Sequence, residues 1–316
     1  MPPLVPRKNT TQDLQHTATI SRRSLGMLAL TLCLGAATAN AAPTEVRVLM
    51  SDQPTPAARE TLAALIRRFP SITVDTEARR LLARLGTSVH VALGTDALKA
   101  LLEAGSNSPL LALLSSSESF REAMAATSAE RRRAPLSAIY AEAAPAQQMM
   151  LIRMIFRRQV RVGVLLTENT AHIEPLIRSA ARSVDLDVDI QRMERGDNPI
   201  RALNRLASTD VLLAVPDRAI FSPENVQSLL EATYRRGQAV VGFSSALVRA
   251  GTLASVYSTV DEVVAQASML IEQLANGQQP GAQYPIYWRV AVNESVARSM
   301  NIPIENEARG FASPAR

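Results

Sequence analysis

The polar residues of this chain that could do chemistry fall at the ends of short apolar runs. The run 211–215 stops at Pro216-Asp217, and the run 239–243 stops at Ser244-Ser245. Earlier runs end in the same way. Residues 46–50 stop at Ser51-Asp52, 89–93 at Gly94-Thr95-Asp96, 110–114 at Ser115-Ser116-Ser117, and 160–166 at Thr167-Glu168-Asn169. Hydroxyls, carboxylates and backbone N–H groups gathered at strand ends suit a polar ligand with hydroxyl, amino or carboxylate groups. Gly94-Thr95-Asp96 opens a helix, so its free N–H groups make either an anion site or an ordinary helix cap. Ser and Asp favour turns as well, so turn or cap duty is the plain alternative at each of these positions.

The same residues do not assemble into a catalytic set. There is no G-x-S-x-G elbow, no phosphate-binding P-loop and no G-x-G-x-x-G. Past the first 41 residues the histidines are His90 and His172, which do not pair at metal-ligand spacing. His90 lies inside an apolar run and reads as a core residue. An isolated strand-end carboxylate such as Asp217 or Glu168 makes no acid–base pair. The expectation is a binding protein and not an enzyme, with no metal and no cofactor.

Residues 1–41 read as an export signal. Arg7, Lys8, Arg22 and Arg23 precede an apolar segment at 25–37, and Ala39 and Ala41 form an A-x-A cleavage site. That segment is short for a membrane span, which needs about 20 apolar residues. Ser21-Arg22-Arg23-Ser24-Leu25 resembles a twin-arginine signal, the general secretory route being the alternative. The only cysteine, Cys33, falls in this leader, so the mature chain would have no disulfide and no thiol chemistry. The leader also holds much of the positive charge. With Asp13 its single acidic residue, cleavage lowers the formal charge from +5 to +2. A balance so close to neutral gives no reason to invoke nucleic acid.

The elements that must position the strand-end residues alternate. Short continuous apolar runs interleave with segments of helical periodicity at 57–68, 97–103, 120–132, 147–158, 173–183, 223–236 and 260–275. Runs of that kind are strands buried on both faces of a parallel sheet, and ligands bind outside the carboxyl ends of such strands. Further strands are expected at 72–74, 136–140, 188–191 and 286–292, the last containing Trp288 as a packing residue. Residues 309–316 are expected to fray. About 275 residues beyond the leader suffice for one large or two modest domains, and the pattern reads as two α/β lobes.

The stretches PDRAIFSPENVQ, VVGFSSALVRAGTLASVYST and VAVNESVARSMNI resemble the ABC-transporter substrate-binding protein family, in the branch related to tryptophan-type binders. The likeness runs from about Ser137 to Ile302 and is poor before Val89. It implies the type I periplasmic-binding fold, with two Rossmann-like α/β lobes of parallel sheet joined by a hinge. A first lobe would comprise 42–141 plus 251–316, the chain returning to it after Ala250-Gly251, and a second lobe 142–250. Two such lobes would close on a ligand between facing strand ends. The first lobe would offer Ser51, Asp52, Gly94, Thr95, Ser115 and Ser116. The second would offer Glu168, Asn169, Asp217 and Ser244, and Tyr140 and Tyr257 near the hinge would add ring surface. Family members have a longer opening. Here 45–86 is short and rich in Arg and Ala, so the family's first-lobe contacts and its aromatic preference do not carry over residue by residue.

The function expected is therefore that of an exported periplasmic protein that captures a small polar molecule for an ABC importer. Its partners would be the ligand and a transporter permease. The alternative is a periplasmic interaction or sensory module of the same fold that contacts a membrane receptor or sensor and has lost ligand transport.

Overall fold

The computed structural model describes residues 45–315, so the expected leader at 1–41, with Cys33, lies outside them. The first lobe alternates strand and helix: β1 (Glu45–Met50), α1 (Pro56–Arg68), β2 (Thr73–Asp75), α2 (Ala78–Leu82), β3 (Ser88–Leu93), α3 (Thr95–Ala104), β4 (Leu110–Ser115), α4 (Ser117–Ala126) and β5 (Leu136–Tyr140). The sheet order is β2-β1-β3-β4-β5, parallel throughout. Both faces are covered, which is why its central strands are mainly apolar. On one face Val46, Val48 and Val91 pack against Leu65 of α1. On the other, Leu49 and Ala92 pack against Leu98 and Leu101 of α3 and Phe120 of α4. Arg47 is buried in β1 because its guanidinium is met on all sides. It donates to the Glu45 carboxylate (2.8 Å) and to the carbonyls of Arg84 and Leu85, both at 2.6 Å. His90 is buried in β3 with Nδ1 at 2.9 Å from Ser106 Oγ. Burial first, then the Arg47 charge, pushes its pKa down to about 4, so it stays neutral as a core residue.

The second lobe continues with α5 (Pro145–Phe156), β6 (Arg161–Leu166), α6 (Glu174–Ser183), β7 (Asp187–Arg192), α7 (Pro199–Leu203), β8 (Val211–Leu213), α8 (Pro223–Arg235), β9 (Ala239–Val241), α9 (Ser245–Ala250) and β10 (Ala254–Tyr257). The chain then crosses to α10 (Val260–Ala275) and comes back to β11 (Arg289–Val292), α11 (Glu294–Ser299) and α12 (Asn306–Arg309). This sheet runs β11-β10-β9-β8-β6-β7, parallel except for β11 against β10. In each lobe the strand order reverses direction once, at β1/β3 and at β6/β8. Those are the switch points where open α/β sheets hold ligands.

The lobe boundary differs from the expected one. The segment 251–316 does not return to the first lobe as a whole. Ala254 of β10 pairs with Val241 of β9, and β11 pairs with β10. Ala254, Val256, Ala297 and Ala308 are all buried in the second lobe's core. Only α10 and the strand-like segment around Gln283 join the first lobe. Val264, Ala267, Leu270 and Ile271 of α10 pack on the face already holding α1. Gln283 bridges Ile139, donating its N–H to Ala138 O at 2.9 Å and accepting from Tyr140 N at 2.9 Å. Nor are residues 309–315 of the C-terminal stretch frayed. Ser313 and Trp288 exchange backbone hydrogen bonds of 2.9 and 3.0 Å, and the Phe311 ring lies 5.9 Å from that of Trp288. Trp288 itself precedes β11, since the strand begins only at Arg289.

Candidate functional site: the seam between the lobes

The first-lobe strand ends are largely engaged with themselves. Ser51 Oγ donates to Asp52 Oδ1 at 3.3 Å and accepts from Gln53 N–H at 3.1 Å, which makes a local turn with Asp52 exposed. Gly94 has φ +97°, a conformation that suits glycine, and leads into α3. Its N–H is taken by Leu113 O at 2.9 Å, so it is not free for an anion. At the end of β4 the register against β5 shifts and Leu114 adopts φ +60°. This bulge turns Ser115 inward, where Thr95 Oγ1 donates to its Oγ at 3.4 Å. Ser116 caps α4, accepting from Ser119 N–H at 3.1 Å. Thr95 and Ser115 are thus brought together, while Ser51, Asp52 and Ser116 serve turns and caps.

In the second lobe Asp217 is 2% exposed and its oxygens are fully bonded. Oδ2 accepts from Thr170 Oγ1 (2.6 Å), Thr167 Oγ1 (2.7 Å) and Thr167 N–H (3.3 Å), and Oδ1 accepts from Ala219 N–H (3.0 Å). Asp217 therefore ties the loop after β6 to the loop after β8. Glu168 and Asn169 stand apart from it on an open cavity of about 570 Å³, which Arg192, Glu194 and Arg195 also line. Ser244 caps α9, accepting from Leu247 N–H at 3.2 Å. Tyr257 ends β10 at the crossover into α10, partly exposed.

A small cavity of about 20 Å³ lies where the lobes meet. Ser117 and Tyr284 line it from the first lobe, Pro145, Leu213, Val215, Pro216 and Phe243 from the second, and Glu142 from the crossover between them. Glu142 is 4% exposed. Its Oε1 accepts from Ser117 N–H at 2.9 Å, the first amide of α4, a favourable place for a carboxylate. Its Oε2 is buried with no hydrogen-bond partner. Burial pushes the Glu142 carboxyl above its usual range, and Ser117 offsets this only in part. The Tyr284 hydroxyl is pushed up to about 12 by burial first, then by the Glu142 charge, so it remains a donor. Tyr140 stacks edge-on between Tyr284 (5.0 Å) and Phe120 (5.8 Å), making a wall beside the crossover.

Glu118 links the lobes directly, since its Oε2 accepts from Arg218 N–H at 3.3 Å. Its carboxyl is pushed up to about 7 by burial, then by the Asp217 charge. Sequence reasoning missed Glu142, Glu118 and Tyr284. Glu142 did have the signature used for the others, an acidic residue just past an apolar run. Glu118 follows the Ser115-Ser116-Ser117 end of β4 by one residue.

A pair of α/β lobes, joined by short crossovers, encloses a buried carboxyl at their seam. No protein-family model and no curated protein matches the chain. Among solved structures it is similar to a ligand-free, open substrate-binding protein with adhesive properties from Clostridium difficile. That likeness has a TM-score of 0.63 at 12% identity and covers 86% of this chain and 100% of that one. It is also similar to an ABC domain in complex with L-Trp from Streptococcus pneumoniae (TM-score 0.59, 15% identity, 85% and 99% covered). A conserved domain protein from Vibrio cholerae gives a TM-score of 0.58 at 16% identity, again with 85% and 99% covered. At these identities the likeness is one of fold. The chain has the two-lobed fold of ABC-transporter solute-binding proteins, the type I periplasmic-binding architecture.

Proposed function

We propose that this chain is an exported periplasmic solute-binding protein that holds a small molecule between its lobes and delivers it to an ABC importer. The observation that carries this reading is the cavity at the seam, where groups from both lobes surround the buried Glu142 carboxyl. Ligand held there would bond the lobes together, which is how a two-lobed binder couples capture to closure. The leader read at 1–41 supports export, and the solved neighbours that are a substrate-binding protein and a domain bound to L-Trp support the solute role. The test is native mass spectrometry of the protein purified without denaturation, followed by mass analysis of what unfolding releases. One small molecule per chain is expected. If nothing is captured, and no molecule of a broad metabolite panel raises the Tm, the reading fails. Ligand at 100 Kd should add about 2.7 kcal/mol of stability.

One observation favours a second reading. The cavity is no larger than a water-sized group needs. A module that signals through lobe–lobe or lobe–receptor contact, having lost transport, would keep such a tight seam. A stable complex with a membrane protein and no captured molecule would establish it.

A further inference from the structure

The seam cavity has a charge character that the solute-binding reading leaves open. Glu142 is the only ionisable acid or base among its lining residues apart from the Tyr284 hydroxyl, and no Lys, Arg or His lines it. Gln148 is already engaged, its amide bonded to both Val256 N–H and Val256 O at 3.2 Å. The remaining walls are mainly apolar, with Leu213, Val215 and Phe243 from the second lobe. In this setting Glu142 Oε2 is buried and without a partner. A buried carboxyl oxygen left unpaired is costly, and folds retain such groups chiefly where function supplies the partner. No positive side chain acts on Glu142. Only Ser117 and the residue's own backbone favour its charged form.

We propose, resting on the reading of the chain as a solute binder, that the ligand is an organic amine. Its protonated nitrogen docks on Glu142 Oε2, and an apolar body lies against Leu213, Val215 and Phe243. An ammonium supplies the donors and the charge that the carboxylate lacks, in a charge-assisted hydrogen bond. A carboxylate or phosphate would place a second negative charge in a site lined by no cation. The cavity of about 20 Å³ takes the ammonium head alone, so the body enters only as the lobes part.

The test uses probes that share a ring and differ in charge: phenethylamine, phenylacetate and 2-phenylethanol. Binding to the protein expressed as the full chain is measured by calorimetry, for the wild type and for Glu142→Gln. Glutamine keeps an oxygen for Ser117 N–H, so the contact with the first amide of α4 survives, and removing an unpaired buried carboxyl should not lower the Tm of the ligand-free protein. The expected result is that phenethylamine binds most tightly, and that Glu142→Gln weakens it at least roughly tenfold without lowering that Tm. Equal or tighter binding of phenylacetate or phenylethanol, binding of none of the three, or an unchanged affinity in Glu142→Gln overturns the inference. The molecule released in native mass spectrometry separates the two levels. A captured molecule with no amine sinks this inference and leaves the solute-binding reading standing, whereas no captured molecule and no metabolite shift sinks both.

Discussion

At Asp217 a strand-end carboxylate that could have met a ligand is instead saturated by its own lobe. Thr167, Thr170 and Ala219 supply all its donors. Asp217→Asn puts an NH₂ where one oxygen accepted, leaving donors to face donors. The expected loss is about 1–3 kcal/mol in denaturant-measured stability. A change near zero would mean that the tie between the β6 and β8 loops does not hold the strand ends. Glu118 behaves differently, because it bonds across the seam to Arg218 N–H. The groups acting on it are Asp217 and Glu122, which raise its pKa, and Arg218, which lowers it. A raised carboxyl pKa means that the joined lobes bind this proton more tightly than separated lobes do. The lobe contact is therefore fully favoured below about pH 4.5 and weakens as pH rises through about 7. Fluorescence transfer between labelled lobes should show more closure at pH 5 than at pH 8, and Glu118→Gln should flatten that difference. A variant that keeps the full pH response would contradict the assignment to Glu118.

The elements around the seam explain what could be read in advance. The buried strands such as β3, β4, β6, β8 and β9 stood out because burial on two faces makes them largely apolar runs. β10 was not legible, because it is only Ala254–Tyr257 and contains Ser255. That serine is buried yet satisfied locally, its Oγ donating to Val256 O at 2.9 Å. The boundary after Gly251 came from the family resemblance, and with this strand unread no feature of the sequence held 251–257 and the last strand in the second sheet. Helix α10 was legible to its ends. Thr259 and Glu262 form a capping box, and the apolar face of the helix repeats at helical spacing. The same helix braces the returning crossover. Gln266 donates to Tyr284 O at 3.3 Å and accepts from Ile286 N–H at 3.0 Å, and Glu262 accepts from Arg289 Nε at 2.7 Å. Gln266→Ala should cost about 1–3 kcal/mol, because it strips partners from backbone groups inside a crossover. It should also speed amide exchange at Ile286 relative to the core strands. Equal exchange in the variant and the wild type would show that Gln266 does not brace this segment.

For the whole molecule, the sequence conveyed the two-lobed plan better than the site. Thr95 and Ser115 do meet, but most of the strand-end residues cap helices or close turns. The seam itself draws on Glu142, Ser117 and Tyr284, residues that become neighbours only when the crossovers bring the lobes together. Sequence spacing cannot show that, since Glu142 and Tyr284 are joined by the fold and not by a motif. The proposed function requires the lobes to move apart and together over a molecule at the seam. The most direct measurement is the interlobe distance by double electron–electron resonance. Spin labels would be placed on Ser128→Cys and Glu224→Cys, exposed positions on the two lobes, with Cys33→Ser so that only these sites react. The protein is first stripped of small molecules by unfolding and refolding, and the released fraction is then added back. A broad distance distribution that narrows to one shorter distance on addition is the expected result. One unchanged distribution, with and without the released fraction, would contradict capture between the lobes.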